Sequence, residues 1–247
     1  MTEPRFHPNH CFLAGLNSPC NLAFRRHHRM RMLQRLLAAL APVLDAAQWA
    51  CVSCDLELLY WQVLGHAQRP CFFEVPAFLG ALPPDQPMAP AQVVERLMAV
   101  PCPPLPAETA PAACNLERLR QHLDLTPAQC LRLLCAYLDY GGAAWPRMDL
   151  PAPSLCAVLA AWWHVNAADA GAALDDRLDL LGLFETTHPH RAGCAPDSLA
   201  SCLSMPATVV QALSLRYETD AALFAALFEG NHVQSSGMRQ LPQKAKR

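Results

Sequence analysis

Lysine is almost missing from this chain. It occurs only at Lys244 and Lys246, so nearly every cation elsewhere is an arginine. With abundant Ala and Pro, that usage reads as high-GC bacterial coding. Glycine is scarce too, ten residues spread thinly over 247. No Gly-rich loop is therefore available to bring backbone amides against a phosphate, and neither G-x-x-x-x-G-K-[ST] nor G-x-G-x-x-G occurs. G-x-S-x-G and H-E-x-x-H are missing as well. Charge is low: 16% of residues are charged and the formal balance is -2, which gives no general pull towards nucleic acid or anionic membrane. No apolar run reaches spanning length, since the best, Leu155 to Val165, is followed by Asn166 and Asp169. The start, MTEPRFHPNH, lacks an apolar h-region, so a cytoplasmic address is expected. Twelve cysteines in that compartment should be free thiols.

What is present is apolar spacing of helical period. The hydrophobic fraction is 53%, and the length suffices for one large domain or two small ones. The clearest element lies in LTPAQCLRLLCAYLDYGG, Leu125 to Gly142. Thr126 caps, Pro127 takes the first helical position, Gln129 completes a T-x-x-Q box, and Gly141-Gly142 stop the helix. Cys130, Leu131, Leu134, Tyr137 and Leu138 fall on its apolar face, with Gln129, Arg132, Ala136 and Asp139 opposite.

Upstream, Ser18-Pro19 opens a helix that can reach Gln48, with Pro42 kinking or splitting it. Leu33, Leu36, Leu37, Leu40 and Leu44 form its stripe. Cys51 to Leu64, Phe72 to Leu82 and Pro90 to Val100 are further apolar segments. The stretch VPCPPLPAETAPAA, 100–113, holds Pro101, Pro103, Pro104, Pro106 and Pro111, a density that neither helix nor sheet accepts. It reads as a semi-extended linker between an N-terminal helical domain, 1–100, and a second domain, 114–230, with 231–247 a disordered tail.

In the second part Asn115 caps a short helix, and Ser154 opens a central one with Leu155, Val158, Leu159, Trp162 and Trp163. Asp169 caps a helix to about 181, stopped by Gly182. LFETTHPHRAG then reads as a hairpin, Ser204 precedes a helix over 206–213, and Asp220–Phe228 is a last helix closed by Gly230. Helix, helix, helix, Gly-Leu-Phe, hairpin is the layout of a winged helix. The expected class is all-α: a helical bundle, then a winged-helix-like domain with one short β-hairpin.

Two charged surfaces stand out. Arg25, Arg26, Arg29, Arg31 and Arg35, with His27 and His28, crowd the start of the first helix. Arg forks suit phosphate, RNA or an acidic partner surface. A solvated helix start is the plainer alternative, but cations there oppose the helix dipole, which favours a partner for these side chains. Asp175, Asp176 and Asp179, with Asp169 at the cap and only Arg177 opposing, occupy the would-be recognition helix. Carboxylates there repel the phosphates that flank a major groove, so this face points to a protein partner or to water.

Metal and thiol chemistry find less support. Cys51-Val-Ser-Cys54 has no second pair at zinc-finger spacing. His188, His190 and Cys194 can hold zinc only with a fourth ligand, and Cys202 is not implied as one. His7, His10 and Cys11 form a similar weak group. Cys130, Cys135 and Cys156 read as small apolar fillers.

Over 115–229, the capped TPAQCLRLLCAYL, the Trp-rich helix, the run L-x-x-x-L-x-x-L-G-L-F and the segment SLASCLSMPATVVQALSLRYETDAALFAAL resemble the winged-helix region preceding the module in a group of bacterial AAA+ ATPases. The last of these segments reads as a short strand, a helix and a final acidic Leu-rich turn, and the resemblance implies a regulatory or recruiting role. The nucleotide site of such proteins lies downstream, so no nucleotide-binding residue carries over. The expectation is a non-catalytic adaptor or regulatory module acting through a protein partner, an AAA+ ATPase among the candidates, with no cofactor, no metal, no membrane and no nucleic acid. A winged-helix DNA-binding regulator and a zinc- or thiol-dependent enzyme are the alternatives.

Overall fold

In the computed structural model, the described residues are 15–16, 18–45, 95, 97–139, 145, 152–174, 176–184 and 199–235. All regular structure among them is helical, in the order α1 (Pro19–Leu40), α2 (Pro111–Leu123), α3 (Pro127–Leu138), α4 (Ala152–Trp163), α5 (Ala167–Ala172), α6 (Asp176–Leu180), α7 (Leu199–Leu203), α8 (Ala207–Ser214) and α9 (Asp220–Ser235). Residues 97–99 are also helical. The expected segments Cys51–Leu64 and Phe72–Leu82, the hairpin beyond Phe184 and the Gly141-Gly142 stop lie outside the described residues.

Local chemistry sets the helix starts. Ser18 accepts from the Asn21 amide and Pro19 takes the first position of α1. Thr126 and Gln129 form both bonds of the capping box on α3. α1 ends at Leu40, two residues before Pro42, so it is not a helix kinked through the proline, and the second half of an expected split, 46–48, lies outside the described residues. Two other starts differ from expectation. α2 begins at Pro111, because a proline is better placed at a first turn than an uncapped Asn; Asn115 is inside the helix and buried. Asn166, not Asp169, caps α5, its side chain accepting from the Asp169 amide at 2.8 Å. The helix expected to run on to 181 breaks after Ala172 and resumes as α6. Gly182 then stops it at φ 71°, left-handed backbone that suits glycine.

Further on, the segment expected to hold a short strand forms helices α7 and α8 and the start of α9, with no strand among its described residues, and α9 continues through Gly230 to Ser235, into the part expected to be disordered.

The core is built around α1. Met32, Leu33, Leu36, Leu37 and Leu40 are buried with Leu155, Val158, Leu159, Trp162 and Trp163 of α4, where α1 makes its broadest contact. The Trp162 indole donates to the Met32 carbonyl at 2.8 Å. α1 also packs on α2 and α3, α3 on α7, and α8 on both α2 and α9. Among the described residues, helices from before and after the Pro-rich segment share one core.

The Pro-rich segment itself runs along α1. Gln34 donates to the Leu97 and Val100 carbonyls at 3.0 and 2.8 Å, His27 Nδ1 donates to the Pro103 carbonyl at 2.7 Å, and Cys20 contacts Glu108. Positions 34, 27 and 20 are seven apart, two helical turns, so they lie on one side of the helix. The segment is extended, as its prolines require, and docked.

Two buried asparagines close the far end. Asn21 donates to the Gly15 and Ser214 carbonyls at 2.9 and 2.8 Å and accepts from the Ala112 amide at 3.1 Å. Asn115 donates to the Leu213 and Leu215 carbonyls at 3.0 and 2.7 Å. Together they satisfy the carbonyls at and just past the C-terminus of α8, which no intrahelical amide reaches. Asn21→Ala should cost about 3 kcal/mol and Asn115→Ala about 2 kcal/mol in urea unfolding, because each leaves buried backbone groups unpaired. A loss within about 0.5 kcal/mol for both, the scale of surface substitutions, would contradict this role.

Candidate functional site

The five arginines of α1 do not form one patch. Successive residues turn by about 100°, so positions 25, 26, 29, 31 and 35 spread around the helix. Arg31 is exposed, Arg25 is buried, and Arg26, Arg29 and Arg35 are half-buried. The Arg25 guanidinium lies 5.9 Å from the centre of the Tyr137 ring. Arg29 donates to the Leu138 carbonyl through Nε at 2.7 Å and also through Nη2. That carbonyl ends α3, where a cation is favoured by the helix dipole. Burial, with Arg25 beside it, brings the Arg29 guanidinium down to about 9. Arg35 reaches Met32 Sδ at 3.8 Å, and burial lowers its affinity for the proton. The run is thus a mixed set: Arg25 and Arg29 serve α3, and Arg31 faces solvent.

His28 sits in the same region, its ring 4.4 Å from Phe24 and 5.0 Å from His27. Burial, then the charges of His27 and Arg31, bring it down to about 4. A histidine held neutral when folded takes up a proton more readily when unfolded, so stability falls as pH drops from 6.5 towards 4. We expect His28 to contribute about 1–2 kcal/mol to that loss, partial exposure of the ring screening the rest. His28→Gln should flatten the pH dependence of thermal unfolding between pH 6.5 and 4; an unaltered slope would assign it to other groups.

On the acidic side, Asp175 and the side chain of Asp176 lie outside the described residues, as do His188, His190 and Cys194. Asp179 accepts from Arg132 Nη2 at 2.9 Å. Arg132 is only 3% exposed, although helical spacing puts it on the polar face of α3. Its Nε donates to the Cys202 carbonyl and its Nη1 to the Ala173 carbonyl, both at 3.1 Å. The guanidinium stacks on the Phe184 ring, 3.8 Å from its centre. One side chain thus joins α3, the break between α5 and α6, the residues after α6, and α7. Ala173 is where the expected long helix fails, and Arg132 takes its carbonyl. Burial lowers the affinity of Arg132 for its proton, and the Asp179 carboxylate partly restores it.

Nothing in the hydropathy pattern marks Arg132 as interior. The available signal was a lone Arg between Leu131 and Leu133 in the middle of a well-capped helix. With Gln129 and Ala136 also buried and Cys130, Leu131 and Leu134 half-buried, α3 is rotated relative to the expected face.

The described cysteines, Cys20, Cys102, Cys114, Cys130, Cys135, Cys156 and Cys202, are free thiols. Burial pushes the Cys135 thiol well up, so it stays protonated, as a packing residue should. Among the described residues no group of three or more His, Cys, Asp or Glu is placed to hold a metal ion, and no helix is long and apolar enough to cross a membrane. No protein-family model matches the chain, and neither a curated protein nor a solved structure matches it.

Arg132→Ala should cost about 3 kcal/mol in urea unfolding, since three acceptors and a ring face lose their partner. Asp179→Asn, which keeps an acceptor oxygen, should cost about 1 kcal/mol. Equal losses for the two would place the importance of the site in the ion pair instead of the carbonyl bonds.

Proposed function

We propose that this chain is a non-catalytic, cytoplasmic adaptor or regulatory module that works through contacts with a protein partner, an AAA+ ATPase being the partner suggested by resemblance. The observation that carries this reading is where five of the polar side chains packed between the helices end. Asn21, Asn115, Arg29 and Arg132 all terminate on backbone carbonyls of neighbouring helices, and Tyr137 on Ser214. Groups so engaged hold a scaffold together and are not free to move protons on a substrate. The winged-helix form expected for 114–230 belongs to this reading; the described residues supply helices for it and no strand.

The DNA-binding alternative is the weaker one. The helix it would lay in a major groove is divided into α5 and α6, of six and five residues, and Asp179 is engaged by Arg132. On α1 the exposed member of the arginine run is Arg31; of the acidic run, Asp176 begins α6 and its side chain lies outside the described residues.

Arg31→Glu and Asp176→Lys, each checked for an unchanged melting temperature, test this by co-purification and titration calorimetry with the recovered partner. We expect at least one reversal to weaken binding about tenfold. Unchanged affinity for both variants would remove these surfaces from the account, and ATP hydrolysis or metal-dependent turnover by the purified chain would overturn the non-catalytic reading.

A further inference from the structure

The Pro-rich segment carries a second, different surface. Each residue from 101 to 106 is either a proline or precedes one. Proline fixes φ near -65°, and the residue before it is pushed out of the helical region. Six consecutive residues are therefore held close to the polyproline II conformation, which turns once in three residues. Exposure repeats with that period. Val100, Pro103 and Pro106 are half-buried towards α1, while Pro101 with Pro104 and Cys102 with Leu105 are exposed, Leu105 to 54%. Two edges of the three-sided helix thus face solvent.

The inward edge is fastened at intervals. Gln34 holds the Val100 carbonyl and His27 holds the Pro103 carbonyl. Downstream, Glu108 pairs with Arg216 and is contacted by Cys20. The spacings match: three polyproline residues rise about 9.3 Å and seven α-helical residues about 10.5 Å, so one turn of the segment meets two turns of α1.

We propose that residues 101–106 are a preformed polyproline docking ridge for a partner domain with an aromatic-lined, proline-reading groove. Pro101 and Pro104 form a P-x-x-P pair on one outward edge, and Leu105 supplies the apolar side chain beside it. Such grooves take adjacent ridges of an extended polyproline helix and gain from its low conformational entropy. Here α1 has already ordered the ligand, so less ordering entropy is lost on binding than for a free peptide. The inference rests on the reading that this chain works through protein contacts, but it uses a surface separate from Arg31 and Asp176.

The test is NMR titration of the isotope-labelled full chain with a set of purified SH3 and WW domains. At least one should shift the resonances of 100–106 selectively. Pro101→Ala and Pro104→Ala should each weaken that binding about tenfold, with circular dichroism and melting temperature unchanged because both rings are outside the core. Should either variant lose its fold, Leu105→Ala, exposed on the neighbouring edge, replaces it with the same expected loss. No shift at 100–106 with any domain, or binding indifferent to these substitutions, would overturn the proposal. Loss of a partner with Arg31→Glu but not with Pro104→Ala would also overturn it, while leaving the adaptor reading in place.

Discussion

A helix that ends inside a protein leaves its last carbonyls facing a region without water. This fold is made of short helices around one long one, so it meets that constraint repeatedly. The ends of α1, α2, α4 and α6 are closed by backbone amides just past them, and the ends of α3, α5, α7 and α8 take side-chain donors from elsewhere in the chain. Asn115 and Asn21 supply the end of α8, Arg29 and the Trp145 indole the end of α3, and Arg132 the ends of α5 and α7. Remove the donors and the same apolar residues can still collapse, but the buried ends of α3, α5, α7 and α8 lose the partners that fix them against their neighbours.

Magnitudes separate the two tasks. A buried Leu or Trp contributes about 1.5–3 kcal/mol by leaving water, whereas a satisfied hydrogen bond nets about 1 kcal/mol. The leucine stripe of α1 and the tryptophans of α4 therefore supply most of the stability. The hydrogen bonds matter through what their absence would cost, since an orphaned buried carbonyl is penalised more than a made bond is rewarded. Packing favours collapse, and the donors select one arrangement.

This division explains what the amino-acid order reveals and what it hides. Caps are local: Ser18, Thr126 and Gln129 act on amides three residues away, and both helix starts follow from a short window. Apolar stripes are nearly as local, and Leu33, Leu36, Leu37, Leu40 and Leu44 are all buried. The donors are not local. Arg132 and Asn115 look like surface or capping residues because their acceptors lie 41 and 70 residues away for Arg132 and 98 and 100 for Asn115. Periodicity treats any polar residue as solvent-facing, so α3 is read with its buried face turned away from Gln129 and Arg132, although Tyr137 and Leu138 are buried as expected, and the long helix through Ala173 is drawn unbroken. The candidate site suffers in the same way. Five arginines in one stretch read as a single surface, but two of them, Arg25 and Arg29, are turned to Tyr137 and the end of α3.

The central claim is that these side-chain donors are bonded as firmly as the core helices they terminate. Solvent exchange of the Asn21 and Asn115 Nδ2 protons and the Arg132 Nε proton, followed by NMR beside the Leu133 and Leu37 amides, measures this directly. The account predicts that the side-chain protons exchange only when the whole core opens, at the protection of the slowest backbone amides. Exchange at the rate of a free asparagine or arginine, while those amides stay protected, would contradict it.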